Sequence, residues 1–93
     1  MEFEWHDGNR RKNAKKHGLT TSEIEQSFFN FQILHFDNAH GGKKIRFYML
    51  SITDADKYLF VAFTIRGNKI RVISARLANA KERTVYEKFK KNS

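Results

Sequence analysis

Tyr58-Leu59-Phe60-Val61-Ala62-Phe63-Thr64-Ile65-Arg66-Gly67-Asn68-Lys69-Ile70-Arg71-Val72-Ile73-Ser74-Ala75-Arg76 consists of two β-branched and aromatic runs separated by two turn residues. Gly-Asn between such runs predicts a tight hairpin, because a two-residue loop of these types accepts positive φ. The faces follow by counting outward from the turn. Ile65 opposes Ile70, Phe63 opposes Val72 and Val61 opposes Ser74 on a core face. Thr64 opposes Arg71, Ala62 opposes Ile73 and Phe60 opposes Ala75 on the other, which is mixed apolar and basic and flanked by Arg66 and Lys69.

Upstream of the hairpin, Lys43 to Thr53 predicts a long strand and Asp54-Ala55-Asp56 a turn. Phe31 to Phe36 predicts another strand, joined to the long one by a loop from Asp37 to Gly42 whose paired glycines relax the backbone. Thr20 and Glu23 have capping-box spacing, opening a helix to about Phe29 with Ile24 and Phe28 on one face. Asp7 and Gly18 bracket a further helix over 8–17, with His17 in its last turn. That helix is unusually polar. Its only aliphatic residue is Ala14, and Lys12 with Lys16 and Arg11 with Lys15 are like-charge neighbours on its surface. Glu2 to Trp5 alternates charge with Phe3 and Trp5, as a short edge or early strand does. Downstream, Asn79 to about Lys90 predicts a helix with Ala78, Val85, Tyr86 and Phe89 as its buried stripe. The order is β-α-α-β-β-β-β-α: a single α+β domain over 1–93, with a small, mostly antiparallel sheet and helices packed on one face.

With 93 residues the chain supports one modest core, and its 13 aromatics (Phe 9, Tyr 3, Trp 1) exceed what a disordered basic tail carries. Zero Cys excludes disulfides, thiolate metal sites and a Cys nucleophile. The apolar runs are far too short to span a membrane, and the acidic, polar N-terminus does not read as a signal peptide, so a soluble cytoplasmic protein is expected. The formal net charge of +8 creates a field that draws polyanions or an acidic protein partner. Its distribution is uneven. Five of the seven residues from Arg10 to Lys16 are basic, and from Arg66 onward nine bases face only Glu82 and Glu87.

The four His, at 6, 17, 35 and 40, lack the i,i+4 spacing of a helical metal pair, so neither metal nor cofactor is expected. His17 caps the basic helix; alternatively, neighbouring cations and burial keep its imidazole neutral and available for proton transfer. Arg71 projects from the open sheet face. Arg76 closes the same strand, where its guanidinium fork can clamp a phosphate or pair with Glu82. Glu82 stands three residues after Asn79, so it serves either as a cap or as the partner that orients Arg76. Arg83 is in the simplest reading an exposed helical base. Cations around a sheet with no sure carboxylate base suit phosphodiester chemistry better than glycoside or peptide hydrolysis.

Phe3-Glu4-Trp5, Asn13, Lys16-His17-Gly18, the Phe pair at 28–29, Ile70-Arg71-Val72-Ile73-Ser74-Ala75-Arg76, Ala78 and Glu82-Arg83 together resemble the BrnT family of type II toxin–antitoxin ribonucleases. The likeness runs from Phe3 to about Tyr86. It implies a RelE-like microbial RNase fold, metal-free RNA cleavage that arrests translation, and neutralisation by a BrnA-like antitoxin. Such antitoxins bind promoter DNA through a ribbon-helix-helix domain, with the toxin as co-repressor. The implied site comprises His17, Arg71, Arg76 and Glu82 in catalysis, and Lys16, Arg83 and Ser74 in RNA binding, to which Arg11 and Lys12 of the basic cluster add by their charge. Two positions depart from the family pattern: His6 stands where Asp is usual, with Asp7 able to cap in its place, and Asn9 where Lys is frequent. The competing readings are a non-catalytic nucleic-acid-binding module and an inactive toxin remnant that binds an acidic antitoxin.

Overall fold

A computed structural model describes residues 2–5, 18–37 and 45–93. The helix expected over 8–17, with Arg11, Lys12, Lys16 and His17, lies outside the described residues, as does most of the loop expected over 37–42. Five strands form one sheet: β1 (Glu2–Glu4), β2 (Ile33–Asp37), β3 (Arg46–Ile52), β4 (Tyr58–Arg66) and β5 (Lys69–Leu77). Their spatial order is β1-β5-β4-β3-β2. The four strands β2 to β5 form an antiparallel meander, and β1 adds to its far side parallel to β5, with Phe3 beside Ile70 and Glu4 beside Arg71.

Two helices are described, α1 (Thr21–Ser27) and α2 (Ala80–Lys91). Each opens on a full capping box: Thr20 and Glu23 exchange hydrogen bonds at α1, and Asn79 and Glu82 at α2. The reciprocal bonds satisfy backbone N–H groups that a helix start leaves unpaired. Ile24 and Phe28 carry α1 onto the first sheet face, where Met49, Leu59, Val61, Phe63, Ile70, Val72 and Ala75 form the core. Phe28 meets the rings of Phe3 and Phe63 edge-on, and the Trp5 indole N–H donates to Glu25 at 2.7 Å, tying β1 to the helix.

The expected packing of the helices on one face requires a correction. α2 meets residues of the second face, because its buried Tyr86 stacks edge-on against Tyr58 and Phe31, and its hydroxyl donates to the Phe31 carbonyl at 2.8 Å. Tyr58 and Ile52 are register partners on that face, so α2 closes one end of it and, among the described residues, no other helix meets the rest. The expected stripe of α2 also narrows. Tyr86 is buried and Ala78 and Val85 are half-buried, but Phe89 is 55% exposed, since it lies one turn beyond the end of the sheet contact.

The hairpin behaves as predicted near its turn. Ile65 faces Ile70, Thr64 faces Arg71 and Phe63 faces Val72. Only Gly67 takes positive φ there, at 58°, so the loop depends on glycine at its first central position. A Cβ at Gly67 would meet nothing within 4 Å. Gly67→Ala should therefore cost about 1–2 kcal/mol through backbone conformation alone, read as a lower urea midpoint with unchanged slope.

Past Val72 the register shifts. Ala62 faces Ser74, Val61 faces Ala75 and Phe60 faces Arg76, which leaves Ile73 as one extra residue on β5. The pairings Val61–Ser74, Ala62–Ile73 and Phe60–Ala75 expected from strict alternation are therefore replaced. A bulge of one residue inverts every side chain beyond it. The physical reason is visible in what each phase would bury: strict alternation drives Ser74 and Arg76 into the core, whereas the bulge places Ala75 there, 2% exposed, and turns both polar residues outward.

Candidate functional site

The bulge sets the site. Arg71 lies opposite Thr64 and Arg76 opposite Phe60, so the shift between them places both guanidinium groups on the second, open face, with Ser74 exposed between them. Without the extra residue, Arg76 would point to the core. Glu4 on β1 is the register neighbour of Arg71, yet among the described residues Arg71 makes no ion pair.

Arg76 is held in place by α2. Its two terminal nitrogens donate to the two Glu82 oxygens at 2.8 and 2.9 Å, and its Cζ sits 4.3 Å from the centre of the Phe60 ring. A parallel fork of this kind fixes the guanidinium plane as well as its position. Glu82 performs both functions open to it in the sequence: the same carboxylate also accepts the Asn79 backbone N–H at 2.9 Å. Helix start and arginine are thus joined by one side chain. Arg83 points outward from α2 and is exposed.

The Arg76 hydrogen bond holds the Glu82 carboxyl below the usual carboxylate range, with further help from the Asn79 N–H and against the effect of partial burial. The carboxylate in turn raises Arg76. Glu23 is lowered in the same way, first by its bond to Lys57. A carboxylate with a folded pKa below its unfolded value stabilises the fold fully above the unfolded value and loses that contribution as pH falls through the folded one. The melting temperature followed by circular dichroism should therefore hold down to about pH 4.3, the ordinary Glu value, and fall below it. Glu82→Gln should make that acid-side fall shallower.

Sequence reasoning missed the aromatic lining of the open face. His35, Tyr48 and Phe60 sit there with Ile33 and Leu50 around a shallow hollow. The signal was present in the alternation of β2 and β3, which puts 33 and 35, and 48 and 50, on the face opposite Met49. Among the described residues no group of three or more His, Cys, Asp or Glu could hold a metal ion, and no helix is long and apolar enough to cross a membrane.

These features define a small α+β domain whose open sheet face combines aromatic rings with two strand arginines. Residues 5–82 match the family model described as ribonuclease toxin, BrnT, of type II toxin–antitoxin system. The chain belongs to that family. Its fold is similar to that of the Brucella abortus ribonuclease toxin BrnT in a 1.1 Å crystal structure, with a TM-score of 0.66 and 23% identity over 85% of this chain and 97% of that one. A comparison with curated proteins finds no match.

Proposed function

We propose that this chain is a metal-independent endoribonuclease toxin that attacks RNA through the 2′-OH of the nucleotide at the cleaved bond. The oxygen–phosphorus bond forms as the 5′-oxygen leaves, giving a 2′,3′-cyclic phosphate and a free 5′-OH. Supporting this reading above all is the bulge-set pairing of Arg71 and Arg76 on one open face, since charge accumulating on a pentavalent phosphorus needs fixed donors aimed at it. Ser74 stands between them as a hydroxyl donor to phosphate. Glu82 acts as a positioning residue for Arg76, because both its oxygens are engaged and its lowered pKa makes it a poor proton acceptor. Proton transfer then falls to His17, which takes the 2′-OH proton and returns one to the departing 5′-oxygen, while Lys16 adds positive charge at the phosphate. Arg83, Arg11 and Lys12 contribute to RNA binding through backbone phosphates.

In the cell the proposed outcome is arrest of translation, relieved by a BrnA-like antitoxin whose ribbon-helix-helix domain carries the complex to promoter DNA. Induction of the chain alone should stop growth, and co-expression of the adjacent antitoxin gene should restore it. In vitro, purified protein in EDTA should cut labelled RNA to fragments with 5′-OH ends that accept kinase label directly. Arg71→Ala should slow cleavage by at least tenfold while weakening RNA binding less, as expected for a group that acts mainly in the transition state. Steeply salt-dependent RNA binding without product would instead identify a binding module.

A further inference from the structure

Four planar groups run across the open face, one from each of four adjacent strands: His35 on β2, Tyr48 on β3, Phe60 on β4 and Arg76 on β5. His35 and Tyr48 stack with centroids 6.4 Å apart and planes 29° from parallel; Tyr48 and Phe60 stack at 5.9 Å and 28°. The Arg76 guanidinium continues the series over Phe60. Ile33 and Leu50 complete the walls of an open hollow of about 380 Å³. Rings in such numbers normally serve a core, yet among the described residues no helix covers this part of the sheet: His35 is exposed, and Tyr48, Leu50 and Phe60 are half-buried.

We propose that this hollow is a nucleobase subsite, in which one unpaired base of the RNA stacks on Tyr48 and Phe60 while its phosphate is held at Arg76 and Arg71. The proposal rests on the ribonuclease reading and adds how substrate is seated. Its occupant must satisfy two chemistries side by side, a flat apolar cleft and a guanidinium fixed at the cleft's edge. A nucleotide joins a planar ring to an anion in one unit and matches both. A purely apolar ligand would leave the guanidinium unused, and an acidic peptide would leave the cleft unfilled. Among the lining residues only the His35 ring nitrogens and the Tyr48 hydroxyl offer polar edges, so stacking here tolerates every base and discriminates weakly among them.

The test uses a fully 2′-O-methylated single-stranded RNA, which cannot be cut, carrying 2-aminopurine in place of one base. Binding to the full chain should quench the 2-aminopurine emission. Tyr48→Leu, which keeps apolar bulk and removes the π face, should weaken binding by about 5- to 150-fold and relieve the quenching, and Tyr48→Phe should restore both. Wild-type affinity and quenching in Tyr48→Leu would overturn the subsite even if the parent protein cleaves RNA, leaving the nuclease reading intact. A parent protein that neither binds this probe nor cleaves RNA would overturn both. If Tyr48→Leu keeps RNA binding but loses neutralisation by the antitoxin, the face serves a protein partner and the subsite is rejected.

Discussion

Arg76→Ala should lower single-turnover RNA cleavage by about 10²- to 10³-fold, the loss typical of deleting one fixed donor from a transition-state charge. The fold should survive, because the bridge it breaks is partly open to solvent, with side-chain exposures of 40% for Arg76 and 19% for Glu82. A pair this exposed contributes at most about 1 kcal/mol after screening. Arg76→Lys should recover little activity, since a single ammonium cannot reproduce the bidentate fork or the stacking on Phe60. Glu82→Gln should fall between: an amide oxygen can still accept the Asn79 N–H, but the charge that fixes the guanidinium is gone. Cleavage by Arg76→Ala at the parental rate would remove this residue from the mechanism.

Tyr86→Ala should destabilise the domain by about 3–5 kcal/mol, the range for truncating a large buried aromatic. Tyr86 is 1% exposed and is the main anchor of α2, touching the rings of Phe31 and Tyr58 and donating to the Phe31 carbonyl. A domain of this size has total stability of only about 5–14 kcal/mol, so the loss should appear as a large drop in urea midpoint and melting temperature. Tyr86→Phe separates packing from polarity. It should cost about 1–2 kcal/mol, because the Phe31 carbonyl loses the Tyr86 donor and is left sharing the single Ser51 hydroxyl proton with the Ser27 carbonyl. Loosening α2 also releases Glu82 from Arg76, so cleavage in Tyr86→Ala should fall even at temperatures where the sheet persists. A destabilisation near that of Tyr86→Phe would show that α2 is held by something else.

The strands, both capping boxes and the hairpin turn were legible because each rests on local chemistry: alternation for β3 to β5, Thr20 with Glu23, Asn79 with Glu82, and glycine at position 67. Two features were not. The bulge at Ile73 is a change of phase, and counting outward from a turn carries the wrong phase through everything beyond it. Its trace in the sequence is the polar pair Ser74 and Arg76 falling on inward positions around a small apolar Ala75, a cost the fold avoids by adding one residue. The placement of α2 on the second face was hidden for a different reason. Amphipathicity tells which side of a helix is buried, but the partner depends on where β5 ends, and the bulge decides that. The aromatic series across His35, Tyr48 and Phe60 needs the lateral order of three strands, information that no single stretch contains.

The parallel seating of β1 against β5 has a consequence for how a cell makes this chain. Synthesis runs from the N-terminal side at about 5–20 residues per second, so Glu2 to Glu4 emerge several seconds before Lys69 to Arg71, the stretch of β5 they pair with. The meander from β2 to β5 can zip up as each neighbour appears, but β1 has to wait, tethered and unpaired. Arg71 and Arg76 both belong to that same late strand, β5. A nascent polypeptide therefore carries neither the β1–β5 pairing nor the two open-face arginines until β5 has been made.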